Sequence, residues 1–227
     1  MSERAIEVIP AIMPESVADL TEKVRKIVGL VRTVQIDIMD GVFVPEKTWP
    51  YIDDETRPEE LPYWDEVAYE VDLMVKEPEE IIDTWLGFEV ARIIIHIEST
   101  EKLQSIMRHI EAYDERTLVT SPTEIGISLN VETPNDAIAP YEYDVDFVQC
   151  MGIARIGYQG EPFDERVIEK IRDLRRKYPH LIISVDGGVS LESAPKLIEA
   201  GAERLVSGSS VFESPDIQAT IEKLKQK

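Results

Sequence analysis

Three short segments set polar residues two apart inside runs of β-branched residues: Gln35-Ile36-Asp37-Ile38-Met39, Glu70-Val71-Asp72-Leu73-Met74 and Ser184-Val185-Asp186. Side chains alternate along an extended chain, so Gln35, Asp37 and Met39 share one face, as do Glu70, Asp72 and Met74, and Ser184 and Asp186. The opposite face of each run is aliphatic and must pack outward, which turns the polar sets inward. A buried carboxylate is costly unless it is paired, hydrogen-bonded or bound to a metal. Taken singly, each aspartate reads equally well as a capping or loop-bracing residue. The convergence of Asp37, Asp72 and Asp186 points instead to a site for acid–base or metal chemistry. His96, in Ile93-Ile94-Ile95-His96-Ile97-Glu98, reads as a hydrogen-bonded structural residue.

A second constellation is rich in glycine. Val185-Asp186-Gly187-Gly188-Val189-Ser190 and Val206-Ser207-Gly208-Ser209-Ser210 each end a strand-like run and open a helical one. Such turns present unpaired N–H groups to an anion, and in barrel proteins this pair of loops is the recurrent phosphate site. Their plain alternative is a pair of tight turns with no ligand.

Both constellations need elements to carry them. Eight apolar runs recur along the chain: Ile6 to Met13, Val31 to Met39, Val67 to Val75, Val90 to Ile97, Ile125 to Leu129, Asp146 to Met151, Leu181 to Val185 and Arg204 to Val206. Several are nearly continuous in Val and Ile, as strands buried on both faces should be. Amphipathic segments lie between them, at Ser16 to Leu30, Glu101 to Tyr113, Asp164 to Tyr178 and Ser190 to Ala200. Asp164 and Ser190 are the expected N-caps, and Gly201 the expected helix-ending glycine. Strand–helix alternation repeated eight times predicts a parallel sheet closed into a (β/α)8 TIM barrel, an α/β fold of one domain spanning residues 1–227. The stretch from Gly41 to Pro62 is expected to be a long loop after the second strand, ending in a short helix. It reads equally as a solvated loop or as a lid or subunit contact.

Composition narrows the partners. With 24 basic and 45 acidic residues the formal net charge is −21. Such a surface argues against nucleic acid and anionic membranes. A phosphorylated ligand then needs local backbone donors or a metal. One cysteine, Cys150, excludes an internal disulfide. The N-terminus does not read as a signal peptide, and no apolar stretch approaches the ~20 residues of a membrane span. A cytoplasmic protein is expected.

The residues quoted above resemble the ribulose-phosphate 3-epimerase family from Ile9-Pro10 to Phe212. The most specific segments are Asp37-Ile38-Met39-Asp40-Gly41-Val42-Phe43-Val44-Pro45, Leu73-Met74-Val75 with Pro78-Glu79, Leu129-Asn130 with Thr133-Pro134, Val185-Asp186-Gly187-Gly188, and Gly208-Ser209. The resemblance implies a phosphorylated ketose as substrate and a metal-assisted 1,1-proton transfer through an enediolate, with Asp37 and Asp186 as the catalytic pair. It matches Met39, Met74 and Met151 to the substrate cavity. It assigns phosphate binding to Gly187, Gly188, Gly208 and Ser209, with Gly157 and Gly160 in the loop after the sixth strand. No organic cofactor is expected. Family barrels often self-associate, so a homo-oligomer is possible, although no apolar patch in the sequence marks an interface.

The departures are informative. The family holds its metal with two histidines and two aspartates, and the histidine positions here carry Gln35 and Asp72. A set of Asp37, Asp72, Asp186 and Gln35 is all oxygen, which suits Mg or Mn better than Zn. The family's first-strand Pro-Ser is Pro10-Ala11. Its phosphate loop is rewritten as Arg155-Ile156-Gly157-Tyr158-Gln159-Gly160-Glu161-Pro162-Phe163, where Arg155 either contacts phosphate or bridges surface carboxylates. Two other functions compete with an epimerase. One is a lyase, aldolase or decarboxylase on a related sugar phosphate; the other is a non-catalytic sugar-phosphate-binding barrel that has lost its metal.

Overall fold

A computed structural model describes residues 5–52, 58–117, 121–158 and 160–226. Its eight strands are β1 (Glu7–Ile12), β2 (Thr33–Met39), β3 (Ala68–Met74), β4 (Arg92–His96), β5 (Glu124–Leu129), β6 (Phe147–Met151), β7 (Ile182–Asp186) and β8 (Arg204–Ser207). Each lies within two residues of its predicted run. All pairings are parallel and sequential, and β8 returns to β1, so the sheet closes into the expected TIM barrel.

The α-helices are α1 (Val17–Arg25), α2 (Ile82–Gly87), α3 (Leu103–Thr117), α4 (Arg166–Lys177), α5 (Ala194–Ala200), α6 (Ser209–Phe212) and α7 (Ile217–Leu224). A 3-10 helix, Asn135–Tyr141, stands between β5 and β6, and no α-helix lies between β2 and β3 among the described residues. The short helix expected near the end of the 41–62 loop is therefore not found there, and residues 53–57 lie outside the described residues. α1 stops at Arg25, short of the expected Leu30, because the chain passes into turns that include Gly29 at φ 77°.

Two expected caps are also displaced. The cap position of α4 is Glu165, and Asp164 instead accepts the Arg166 N–H at 3.0 Å. The cap position of α5 is Ser193, while Ser190 Oγ accepts the N–H groups of Glu192 and Ser193 at 3.3 and 3.2 Å. Both residues tighten the turn that leads into a helix, a use of short polar side chains that competes with capping. Gly201 does close α5, in the left-handed region at φ 117°.

The outward strand residues form one aliphatic core with the helices, including Ile36, Ile38, Val71, Leu73, Ile93, Ile95, Ile183 and Val185, all buried. The inward residues stack in layers with different chemistry. At the N-terminal end of the barrel, Arg92 meets Glu70 at 2.8 Å and Glu7 and Glu124 at 3.1 Å, while Arg204 meets Glu124 at 2.8 Å. The Arg204 guanidinium lies 4.6 Å from the Phe147 ring centroid. That ring reaches across to β5, where a Cβ at Gly126 would come within 2.4 Å of its edge. Glycine at 126 is thus required by close approach. Above this plug sit Ile9, Ala11 and Val206. The polar top layer follows, at the C-terminal ends where barrel active sites form.

Removing one partner of a buried ion pair leaves an uncompensated charge. R92A, which strands Glu70 beneath the barrel, is expected to lower unfolding stability by about 3 kcal/mol. Urea denaturation followed by circular dichroism measures this, and an unchanged midpoint would show that the plug is dispensable.

Candidate active site

Parallel register brings the polar residues together. Asp37 of β2 stands opposite Asp72 of β3, and Gln35 stands opposite Glu70. Asp186 ends β7, opposite Met151 of β6 and Val206 of β8. One carboxylate oxygen from each of Asp37, Asp72 and Asp186 lies within 4.8 Å of the other two. Gln35 Nε2 donates to Asp37 Oδ1 at 2.7 Å and to Asp186 Oδ2 at 2.8 Å, so one amide group links the two aspartates.

Asp72 is held from its other side. Gln149 Nε2 donates to Asp72 Oδ2 at 3.0 Å, and Gln149 Oε1 accepts from Ser184 Oγ at 3.3 Å. His96 Nε2 lies 3.0 Å from Asp72 Oδ1, an ion-pair distance without hydrogen-bond alignment. Burial alone would lower the His96 pKa, but the carboxylates around it, Asp72 foremost with Glu98 and Asp186, together outweigh burial and the pKa rises.

Burial, followed by repulsion from Asp186 and Asp72, holds Asp37 well above the usual carboxylate range. Burial and the Asp72 charge push Asp186 up to about 7, against the lowering effect of the Gln35 hydrogen bond. Crowded acids in a low-dielectric site retain protons that free aspartate would release.

The same layer fits a cation. The donors are three carboxylates and an amide, and both Gln35 Oε1 and Asp72 Oδ1 are buried without a hydrogen-bond partner. Amide orientation is set by the hydrogen-bonding environment, so Gln35 can present either its N–H group to the acids or its oxygen to a cation. The arrangement can hold a divalent metal through oxygen ligands.

Above the aspartates opens a cavity of about 290 Å³. Asp37, Met74, Met151, Gly157, Gly160, Asp186, Gly187, Gly188, Gly208 and Ser209 all line it, which brings together most of the expected site. Gln35 and Asp72 are not among the lining residues, and Met39 packs beneath against Val44 and Met74. Gly187 and Gly188 have φ of 91° and 67°, and a Cβ on Gly188 would approach Phe163 Cα to 2.8 Å. The two glycine turns are tied together because Ser207 Oγ and Ser210 Oγ both donate to Val189 O, at 3.1 and 2.8 Å.

The Asp40-to-Pro45 segment has a bracing role. Asp40 accepts the N–H groups of Val42, Phe43 and Lys76 at 2.8 to 2.9 Å, which pins the loop after β2 to the end of β3. Phe43 then lies with its ring centroid 5.4 Å from that of His96. Thr48 Oγ1 donates to Asp37 O at 2.7 Å and accepts from Met39 N at 2.9 Å.

Sequence reasoning missed Gln149, Ser184 as its partner, and Glu161 and Tyr158 in the cavity lining. Gln149 carried a usable signal, since Phe147, Gln149 and Met151 alternate with Val148 and Cys150 as the other inward sets do. Glu161 and Tyr158 sit in a loop, where no periodicity marks the inner face.

Comparison with known proteins identifies relatives along nearly the whole chain. The model of the Ribulose-phosphate 3 epimerase family matches residues 7–212. A ribulose-phosphate 3-epimerase of Bacillus subtilis (strain 168) is 32% identical over 97% of this chain and 98% of its own length. The chloroplastic ribulose-5-phosphate-3-epimerase of Arabidopsis thaliana is 33% identical over 99% of this chain and 78% of its own. Among solved structures, 3-hexulose-6-phosphate synthase from Salmonella typhimurium superposes with a TM-score of 0.69 at 12% identity, covering 97% of each chain. Orotidine 5'-monophosphate decarboxylase from Sulfolobus solfataricus gives 0.59 at 16% identity, covering 97% of this chain and 96% of its own. At such low identity these two share the fold alone. With a family model that matches residues 7–212, a range that contains all eight strands, the chain belongs to the ribulose-phosphate 3-epimerase family.

Proposed function

We propose that this protein interconverts D-ribulose 5-phosphate and D-xylulose 5-phosphate by a 1,1-proton transfer in which Asp37 and Asp186 are the two proton carriers. The observation that supports this most is that the two aspartates approach from β2 and β7, share the Gln35 amide, and both line a cavity bounded by glycine turns. Inversion at one carbon needs a base and an acid acting from different directions. One carboxylate takes the C3 proton, and the C–H electrons move into the carbonyl to form an enediolate. The other carboxylic acid delivers a proton to the same carbon from its own side. Raised affinity for protons at both residues lets one serve as the acid while the other is the base.

Asp37, Asp72, Asp186 and the Gln35 oxygen would hold a divalent cation, and an all-oxygen set favours Mg or Mn over Zn. When bound, such a cation supplies Lewis acidity to a carbonyl oxygen. His96 and Gln149 fix the position of Asp72, and Met74 and Met151 provide apolar walls. The phosphoryl group would lie against Gly187, Gly188, Gly208 and Ser209. No lysine is among the lining residues, so Schiff-base aldol chemistry lacks its amine there.

Exchange of the C3 proton of D-ribulose 5-phosphate in deuterated water, with and without Mg or Mn, tests the reading directly. D37N and D186N are each expected to lower exchange by roughly a thousandfold or more, in line with loss of an essential acid or base. No exchange by the wild-type protein with any metal would sink the assignment. D72N is expected to weaken Mn binding by about tenfold to a hundredfold in calorimetric titration, as loss of a ligand or its support does. Unchanged Mn affinity would remove Asp72 from the metal set.

A further inference from the structure

The cavity presents an electrostatic problem. Among the described residues, its lining carries three carboxylates, Asp37, Asp186 and Glu161, and no lysine or arginine. Glu161 stands with the glycine turns in that lining, where the proposed substrate's phosphoryl dianion would be held. A bare glutamate there would repel the dianion.

Lys23 Nζ donates to the Met13 carbonyl at 3.2 Å, but among the described residues Arg155 is the one lysine or arginine paired with a carboxylate of that lining. Its Nε and Nη2 reach the two oxygens of Glu161 at 3.2 and 2.6 Å, a fork-to-fork pair. Its guanidinium carbon also lies 5.4 Å from the ring centroid of Tyr158, another lining residue. Glu161 is the sheltered partner, with 15% of its side chain exposed against 71% for Arg155. The turn carrying all three is anchored at both ends. A Cβ on Gly157 would come within 2.8 Å of Val44 Cβ, and the Phe163 backbone lies directly over Gly188.

A guanidinium has five N–H donors, and this pairing engages one edge only. The Nη1 group remains available. We infer that Arg155, positioned by Glu161, grips the phosphoryl group of the substrate at the cavity mouth and makes phosphate recognition in this chain depend on a side chain as well as on glycine amides. This rests on the reading above that the substrate is phosphorylated. Glu161 is a positioning residue: it cancels charge on one side of the guanidinium and aims the other.

Calorimetric titration with inorganic phosphate and the KM for D-ribulose 5-phosphate, measured on wild type, R155A, R155K and R155A/E161A, test the inference. R155A is expected to weaken phosphate binding and raise KM by about tenfold or more, the range of a hydrogen bond to a charged group, with the larger share of the loss in KM rather than kcat. R155K should recover only part, because an ammonium cannot span a carboxylate and a phosphoryl group in one plane. R155A/E161A should bind phosphate better than R155A, since the stranded carboxylate is gone. A purely superficial ion pair would show neither loss nor rescue. Phosphate affinity of R155A within about twofold of wild type would overturn the inference, as would a wild type that takes up no inorganic phosphate at millimolar concentration. Arg155-dependent phosphate binding without C3 proton exchange would instead overturn the epimerase reading and leave the arginine grip standing.

Discussion

Everything in this barrel depends on how charge is accommodated along its axis. Carboxylates project inward at two levels, and each level solves the problem differently. At the closed end, Arg92 and Arg204 neutralise Glu7, Glu70 and Glu124. At the open end, among the described residues, no lysine or arginine pairs with Asp37, Asp72 or Asp186, which rely on Gln35, Gln149 and His96. The lower level is built for permanence. The upper one is left short of positive charge, which makes it reactive toward protons and cations.

Register is what keeps these levels apart. Opposed positions on β2 and β3 place Gln35 with Glu70, Asp37 with Asp72, and Met39 with Met74. A slip of one residue would turn each of these sets into the aliphatic shell. The continuous Val and Ile on the outward positions therefore specify the active site indirectly. They fix which way the acids face.

This explains what was legible in the sequence. Apolar runs located all eight strands, because burial on both faces leaves a strong compositional trace, and two-residue alternation within three of them located the inward acids. The Gly187-Gly188 turn was legible because positive φ restricts residue choice. The caps of α4 and α5 were misplaced because Asp164 and Ser190 use their short polar side chains in the preceding turns. The braces on Asp72 were obscure for another reason: Gln149 lies 77 positions away in sequence, and only barrel closure makes them neighbours. Gln35 and Asp72 were legible as inward-facing polar residues. Their consequence, an amide spanning two aspartates, needed the third dimension.

The contact between Gly126 and Phe147 bears on how this barrel can change over generations. Any side chain gained at 126 meets the ring on the neighbouring strand, while a smaller residue at 147 leaves a void under the Arg204 guanidinium. Neither position can drift alone. Intermediates on a mutational path between this pair and another packing solution pass through a clash or a hole, so the two sites are expected to be inherited as a unit. The floor of the barrel is in this way held by a constraint of shape, where the polar layer above it is held by hydrogen bonds and charge.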